Sequence, residues 1–143
     1  MEVDDAETGF ALIRQGYCQN NLIFKLNQRN IIGRGFGTTI NILSLFVSRQ
    51  HCVMYMEDDG NWYIRDCETM NGTFINDEKI QPNIDYLLNL NDKIGFGISI
   101  SSLNNSEYSN PDYYVYKLIY YPTQQDHIYE YDVNSLCWDL EKL

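Results

Sequence analysis

Apolar and β-branched residues come in short runs: Phe10 to Ile13, Leu22 to Leu26, Ile31 to Gly33, Ile42 to Phe46, Cys52 to Met56, Trp62 to Ile64, Thr73 to Ile75, Ile94 to Phe96 and Tyr113 to Tyr121. Between them stand QNN, EDDG, MNG, PN and NNSEYSNPD, rich in the Asn, Asp, Gly and Pro residues that turns require. Ahead of the last twenty residues no segment holds apolar positions at the helical period, so the two-residue period of strands prevails. Many short strands at this spacing predict an all-β fold of two antiparallel sheets packed as a sandwich.

A chain of 143 residues suits one such core and is too short for two ordinary domains with a linker. The pattern divides it into a flexible lead-in over 1–9, a sandwich over 10–121 and a tail over 122–143. Residues 104–112 read as a polar hairpin connection. The run YYVYKLIYY after it is too apolar to stay in water and is expected to close the sandwich beside the N-terminal strand. Beyond Pro122 alternation fades, and the tail reads as a short helix, a docked segment or disorder.

Composition supports a folded, strand-rich protein: 44% of residues are hydrophobic, 14% are aromatic, and twelve are tyrosines. A formal net charge of -10 argues against nucleic acid or an anionic membrane as partner. The distribution is uneven, however. No acidic residue lies between Glu7 and Glu57, while Arg14, Lys25, Arg29, Arg34 and Arg49 all do. One basic segment in an acidic protein fits a single small anion better than the long phosphate track of a duplex.

Cys18, Cys52, Cys67 and Cys137 are scattered, with no C-x-x-C pair and no histidine at ligand spacing. Reduced thiols are therefore expected and a zinc site is not; no other metal or cofactor is implied. The acidic opening MEVDDAE is unlike a signal peptide, and no apolar run reaches bilayer-spanning length, so a nuclear or cytosolic location is expected.

Three blocks place polar, loop-favouring residues between core strands: IIGRGFG at 31–37, SRQH at 48–51 and MNGTFIN at 70–76. A phosphate dianion gives up strong hydration on binding, which charged donors and fixed hydrogen bonds must replace. Arg34 follows a glycine at the end of a strand run and can reach into a loop cleft. Ser48 offers a hydroxyl and a backbone N–H, and Arg49 adds a second cation. The asparagine amide of Asn71, with both donor and acceptor, can grip an extended peptide without reading its side chains. Gly33, Gly35 and Gly37 do not make a nucleotide loop, because the P-loop lysine and a following helix are both missing. No Ser-His-Asp or Cys-His arrangement accompanies His51, so a catalytic role for it is disfavoured.

In this order and spacing, G-R, then S-x-x-H, then N-G-T, the blocks resemble the forkhead-associated (FHA) family over about residues 10–121. The resemblance implies an FHA-type sandwich with binding loops at one apex that recognises phosphothreonine and has no enzymatic activity. By the same resemblance Arg34 and Ser48 contact the phosphate and Asn71 the peptide backbone, while His51 ties the loops together. Gly33 and Gly72 supply loop geometry and Thr73 braces it. One departure stands out: the family often has threonine or serine where this chain has Met70, so either Thr69 substitutes or Arg49 takes a larger share.

From Ile32 to Asn76 the sequence is most similar to FHA domains that accompany RING-finger ubiquitin ligases of DNA-damage signalling, with checkpoint-kinase FHA domains second. That implies a nuclear reader of phosphothreonine-glutamine sites. A RING needs about eight cysteine and histidine ligands, which this sequence does not hold. Thr123-Gln124 is itself a threonine-glutamine pair, which when phosphorylated would allow head-to-tail self-association. The alternative to phosphopeptide reading is a phospho-independent interaction or dimerisation sandwich.

Overall fold

Eleven strands carry the described part of the chain in the computed structural model, which describes residues 7–15, 23–99 and 114–121. They are β1 (Glu7–Arg14), β2 (Ile23–Asn27), β3 (Arg29–Gly33), β4 (Ile40–Asn41), β5 (Cys52–Met56), β6 (Trp62–Asp66), β7 (Thr73–Ile75), β8 (Glu78–Lys79), β9 (Tyr86–Leu88), β10 (Lys93–Phe96) and β11 (Tyr114–Tyr120). One sheet runs in the order β2-β1-β11-β10-β7-β8 and the other β4-β3-β5-β6-β9. Ladder pairings are antiparallel except β3 with β4, where Ile32 faces Ile40 in parallel.

Alternation drives the packing. Along β6, Trp62, Ile64 and Asp66 point inward while Tyr63 and Arg65 face out, the two-residue period of a half-buried sheet. The inward residues of both sheets, among them Leu12, Ile32, Met54, Ile64, Ile94, Phe96 and Leu118, form one buried cluster. Fully burying a side chain of this kind contributes roughly 1.5–3 kcal/mol, so the interleaved set is the main stabilising element. As the last apolar run implies, β11 closes the first sheet, lying antiparallel between β1 and β10 with Phe10 opposite Tyr120.

Three expectations change. Strand β1 starts at Glu7, so the ordered domain begins ahead of residue 10. Two-residue β4 and β8, and β9, lie outside the apolar runs. Finally, Ile42 to Phe46 is not a strand: the Val47 N–H donates to the Ser44 carbonyl (3.1 Å) and the Phe46 N–H to the Ser44 hydroxyl (3.2 Å), turning the chain back. The proposed 104–112 connection, the tail from 122, Thr123, Cys18 and Cys137 lie outside the described residues.

Candidate functional site

The three sequence blocks meet where the β3–β4, β4–β5 and β6–β7 loops come together. Gly33 ends β3 flat against the β4–β5 loop, and a Cβ there would collide with the Arg49 carbonyl oxygen. That close approach lets the Arg34 N–H donate to the Ser48 carbonyl and the Gly35 N–H to the Arg49 carbonyl, both at 2.9 Å. The side chain of Arg34 continues the contact: Nε donates to the Val47 carbonyl at 3.0 Å. Its guanidinium is thus fixed on the backbone immediately before Ser48. Both terminal nitrogens remain without a hydrogen-bond or carboxylate partner among the described residues.

His51 is fully buried and joins two loops. Its Nδ1 accepts from the Ser48 N–H at 3.0 Å and its Nε2 donates to the Gly72 carbonyl at 2.9 Å. Because Nδ1 must keep its lone pair for Ser48, the ring is the neutral tautomer carrying hydrogen on Nε2. Burial lowers its pKa from the ordinary value, against smaller raising effects of the Gly72 carbonyl and nearby Asp66. With both nitrogens committed and no solvent access, His51 is a tie between loops and not a proton carrier.

The β6–β7 loop is organised by Asp66, a buried carboxylate whose importance the sequence motifs do not signal. Its Oδ1 accepts from the hydroxyls of Thr69 (2.7 Å) and Thr73 (2.6 Å), and its Oδ2 accepts from the Thr69 N–H (3.1 Å). Thr69 in turn accepts from the Gly72 N–H at 3.0 Å. The hydroxyl hydrogen of Thr69 is therefore spent inside the loop. This removes the expectation that Thr69 replaces a donor at position 70, and Met70 itself is 90% exposed. Gly72 has φ of 87°, a left-handed conformation that glycine adopts at no steric cost. Its position lets Asn71 turn outward, where Nδ2 donates to the Phe46 carbonyl at 3.0 Å and braces the neighbouring loop.

The structure thus gathers Arg34, Ser48, Arg49 and Asn71 onto adjoining loops, with Gly33, His51, Gly72 and Thr73 beneath them. Arg34, Arg49 and Asn71 are exposed and Ser48 is half-buried. Among the described residues, no carboxylate pairs with Arg34 or Arg49. Two free cations beside a hydroxyl and fixed loops suit an anion, and the buried, fully bonded histidine gives no base for hydrolysis.

Residues 30–97 match the family model of the FHA domain. The sandwich is an FHA domain, one of a class of phosphothreonine-binding modules. Among curated proteins, the chain is 31% identical over 106 residues to the E3 ubiquitin-protein ligase RNF8 of Bos taurus, an alignment covering 71% of this chain and 22% of that one. It is 35% identical over 81 residues to RNF8 of Homo sapiens, covering 54% and 17%. The chain therefore spans about a fifth of the length of these relatives, and the similarity lies in the FHA part. Among solved structures, the N-terminal FHA domain of S. cerevisiae Rad53p in complex with a phosphothreonine peptide superposes with a TM-score of 0.61 at 18% identity, covering 78% of this chain and 93% of that one. An FHA domain solved in a study of phosphothreonine-dependent interactions gives 0.58 at 20% identity, covering 79% and 97%. Likeness at these identities establishes the shared fold.

Proposed function

We propose that this chain binds phosphothreonine in a partner protein through Arg34, Ser48 and Arg49 on the phosphate and Asn71 on the peptide backbone. The observation that carries this reading is the pairing of two arginines that lack carboxylate partners among the described residues with a loop set locked by His51 and Asp66. A fixed cradle loses little freedom on binding, so its charged hydrogen bonds go into affinity. Each contributes about 1.5–3 kcal/mol, and two or three support micromolar binding after association costs.

The partner site we assign is phosphothreonine-glutamine in nuclear DNA-damage signalling, a reading supported by the similarity to RNF8. Leu45 and Met70 are both exposed, and each immediately precedes one member of the Phe46–Asn71 hydrogen bond. Their exposed apolar surface suits an aliphatic or aromatic side chain three positions after the phosphothreonine.

Titration calorimetry with a phosphothreonine-glutamine peptide, its dephosphorylated twin and a phosphothreonine-alanine version tests both levels. The reading expects micromolar binding of the first, none of the second, and weaker binding of the third. Equal affinity for the first two assigns the sandwich to phospho-independent interaction. Equal affinity for the first and third removes only the glutamine preference.

A further inference from the structure

The β3–β4 loop holds a feature that phosphate binding leaves unused. Phe36 sits at its tip fully exposed, at 109% of the reference area, and Leu43 nearby is 73% exposed. A large apolar ring held in water is unfavourable, and contiguous exposed apolar surface marks contact sites. The loop presenting it is well tied. Asn41 Nδ2 donates to the Gly35 carbonyl (2.9 Å) and to the Thr38 hydroxyl (3.0 Å), and the Thr38 hydroxyl donates to the same Gly35 carbonyl (3.2 Å). A Cβ at Gly35 would stand 2.9 Å from the Arg49 carbonyl oxygen, so this part of the loop lies directly on the phosphate-side backbone.

Around Phe36 opens a hollow of about 380 Å³, lined by Arg34, Gly35, Thr38, Asn41 and Leu43 as well as Phe36 and Gly37. It shares Arg34 with the cradle, while Ser48, Arg49 and Asn71 do not line it. A ligand that places phosphate on Arg34 therefore has this hollow next to it, separate from the stretch gripped by Asn71. The segment from residue 8 to residue 56 contains no acidic side chain, so nothing of its own repels an anionic ligand there.

We propose that this hollow is a second recognition site for the phosphorylated partner, taking one aliphatic or aromatic side chain of that partner on the Arg34 side of the phosphothreonine. The inference rests on the phosphate reading above and adds a sequence preference to it. Burial of that side chain against Phe36 and Leu43 raises affinity, whereas a lysine or arginine in its place meets the Arg34 cation and an apolar rim.

The test is calorimetric titration of phosphothreonine peptides in which leucine is walked through the flanking positions of an alanine background. Each peptide is measured against wild type, Phe36→Ser, Leu43→Ser and, on the remote β9, Leu87→Ser. The expected result is a position where leucine gains about tenfold in affinity over alanine. Phe36→Ser and Leu43→Ser should erase that gain, and Leu87→Ser should retain it, while the all-alanine phosphopeptide binds all four proteins alike. If no position shows a leucine gain that both serine variants erase, the inference is overturned and the phosphate reading stands. Failure of even the all-alanine phosphopeptide to bind wild type sinks the parent reading instead. Self-association of wild type that Phe36→Ser reverses, with peptide affinities unchanged, assigns the hollow to a second copy of this chain and also overturns the proposal.

Discussion

Two arginine-bearing surfaces of this domain differ in one respect that decides their chemistry. On the outer face of the five-stranded sheet, a hollow of about 490 Å³ is lined in part by Arg29, Tyr55, Arg65 and Asp85. There the Arg65 guanidinium makes two parallel hydrogen bonds of 2.8 Å to both oxygens of Asp85. That contact holds the Asp85 carboxyl below its usual pKa and raises that of Arg65. At the loop apex, by contrast, Arg34 is held by a neutral backbone carbonyl and Arg49 pairs with no carboxylate among the described residues. The larger hollow is therefore the worse anion site: Asp85 already pairs with Arg65, and Glu57 lines the hollow alongside Arg29. An orienting carbonyl keeps an arginine fixed and leaves its charge available, and an orienting carboxylate does not.

The contrast predicts a graded set of losses. Arg34→Ala should weaken phosphothreonine-peptide binding about 100-fold, close to the upper range for hydrogen bonds to a charged group. Arg34→Lys should restore only part of it, since an ammonium lacks the fork that bonds Val47 and the ligand together. A thermal melt of both variants checks that the loops persist.

His51→Ala comes next and acts on stability. It leaves the Ser48 N–H without its acceptor and the Gly72 carbonyl with only the Gly97 N–H, at a cost of about 2 kcal/mol in urea denaturation. Its pH dependence has a defined sign. Because burial depresses the folded pKa, the unfolded chain takes up the proton first. The stability contributed by neutral His51 is present in full above the ordinary value of 6.5 and is lost as pH falls below it. Denaturation at pH 7.5 and 5.5 should show that limb in wild type and a flatter one in His51→Ala.

Arg49→Ala should cost about tenfold in affinity, less than Arg34→Ala, because among the described residues no backbone group pre-orients the Arg49 side chain. Arg65→Ala should have the smallest effect, leaving phosphopeptide affinity within about twofold of wild type. A large loss in Arg65→Ala with little in Arg34→Ala would reverse the comparison and move the anion site to the sheet face.

Much of this was readable from the residues, and what escaped has local causes. Long alternating runs such as Cys52 to Met56 and Trp62 to Ile64 became strands because each buries one face against the opposite sheet. Ile42 to Phe46 alternates in burial as well, with Ile42 and Ser44 inside and Leu43 and Leu45 outside, yet Ser44 diverts its backbone and hydroxyl into a turn. Alternation reports which side chains are buried, and ladder pairing is a separate matter decided by neighbours. Strands β4 and β8 are two residues long and leave no periodic signal.

At the site, the three motif blocks located the loops, and the resemblance assigned His51 its structural part. Asp66 was hidden. It looks like an ordinary acidic strand end in WYIRD, and only the convergence of the Thr69 and Thr73 hydroxyls on it reveals its function. The same network turns the Thr69 hydroxyl inward, and Met70 stands exposed beside it.

Phosphate capture at the loop apex is tested by following backbone and side-chain NMR signals while a phosphothreonine peptide is titrated into the protein. The largest shifts are expected on Arg34, Ser48, Arg49 and the Asn71 side-chain amide, with Arg29, Tyr55 and Arg65 essentially unmoved. Shifts concentrated on the outer sheet face, with the Arg34 and Ser48 signals unchanged at saturation, would contradict it.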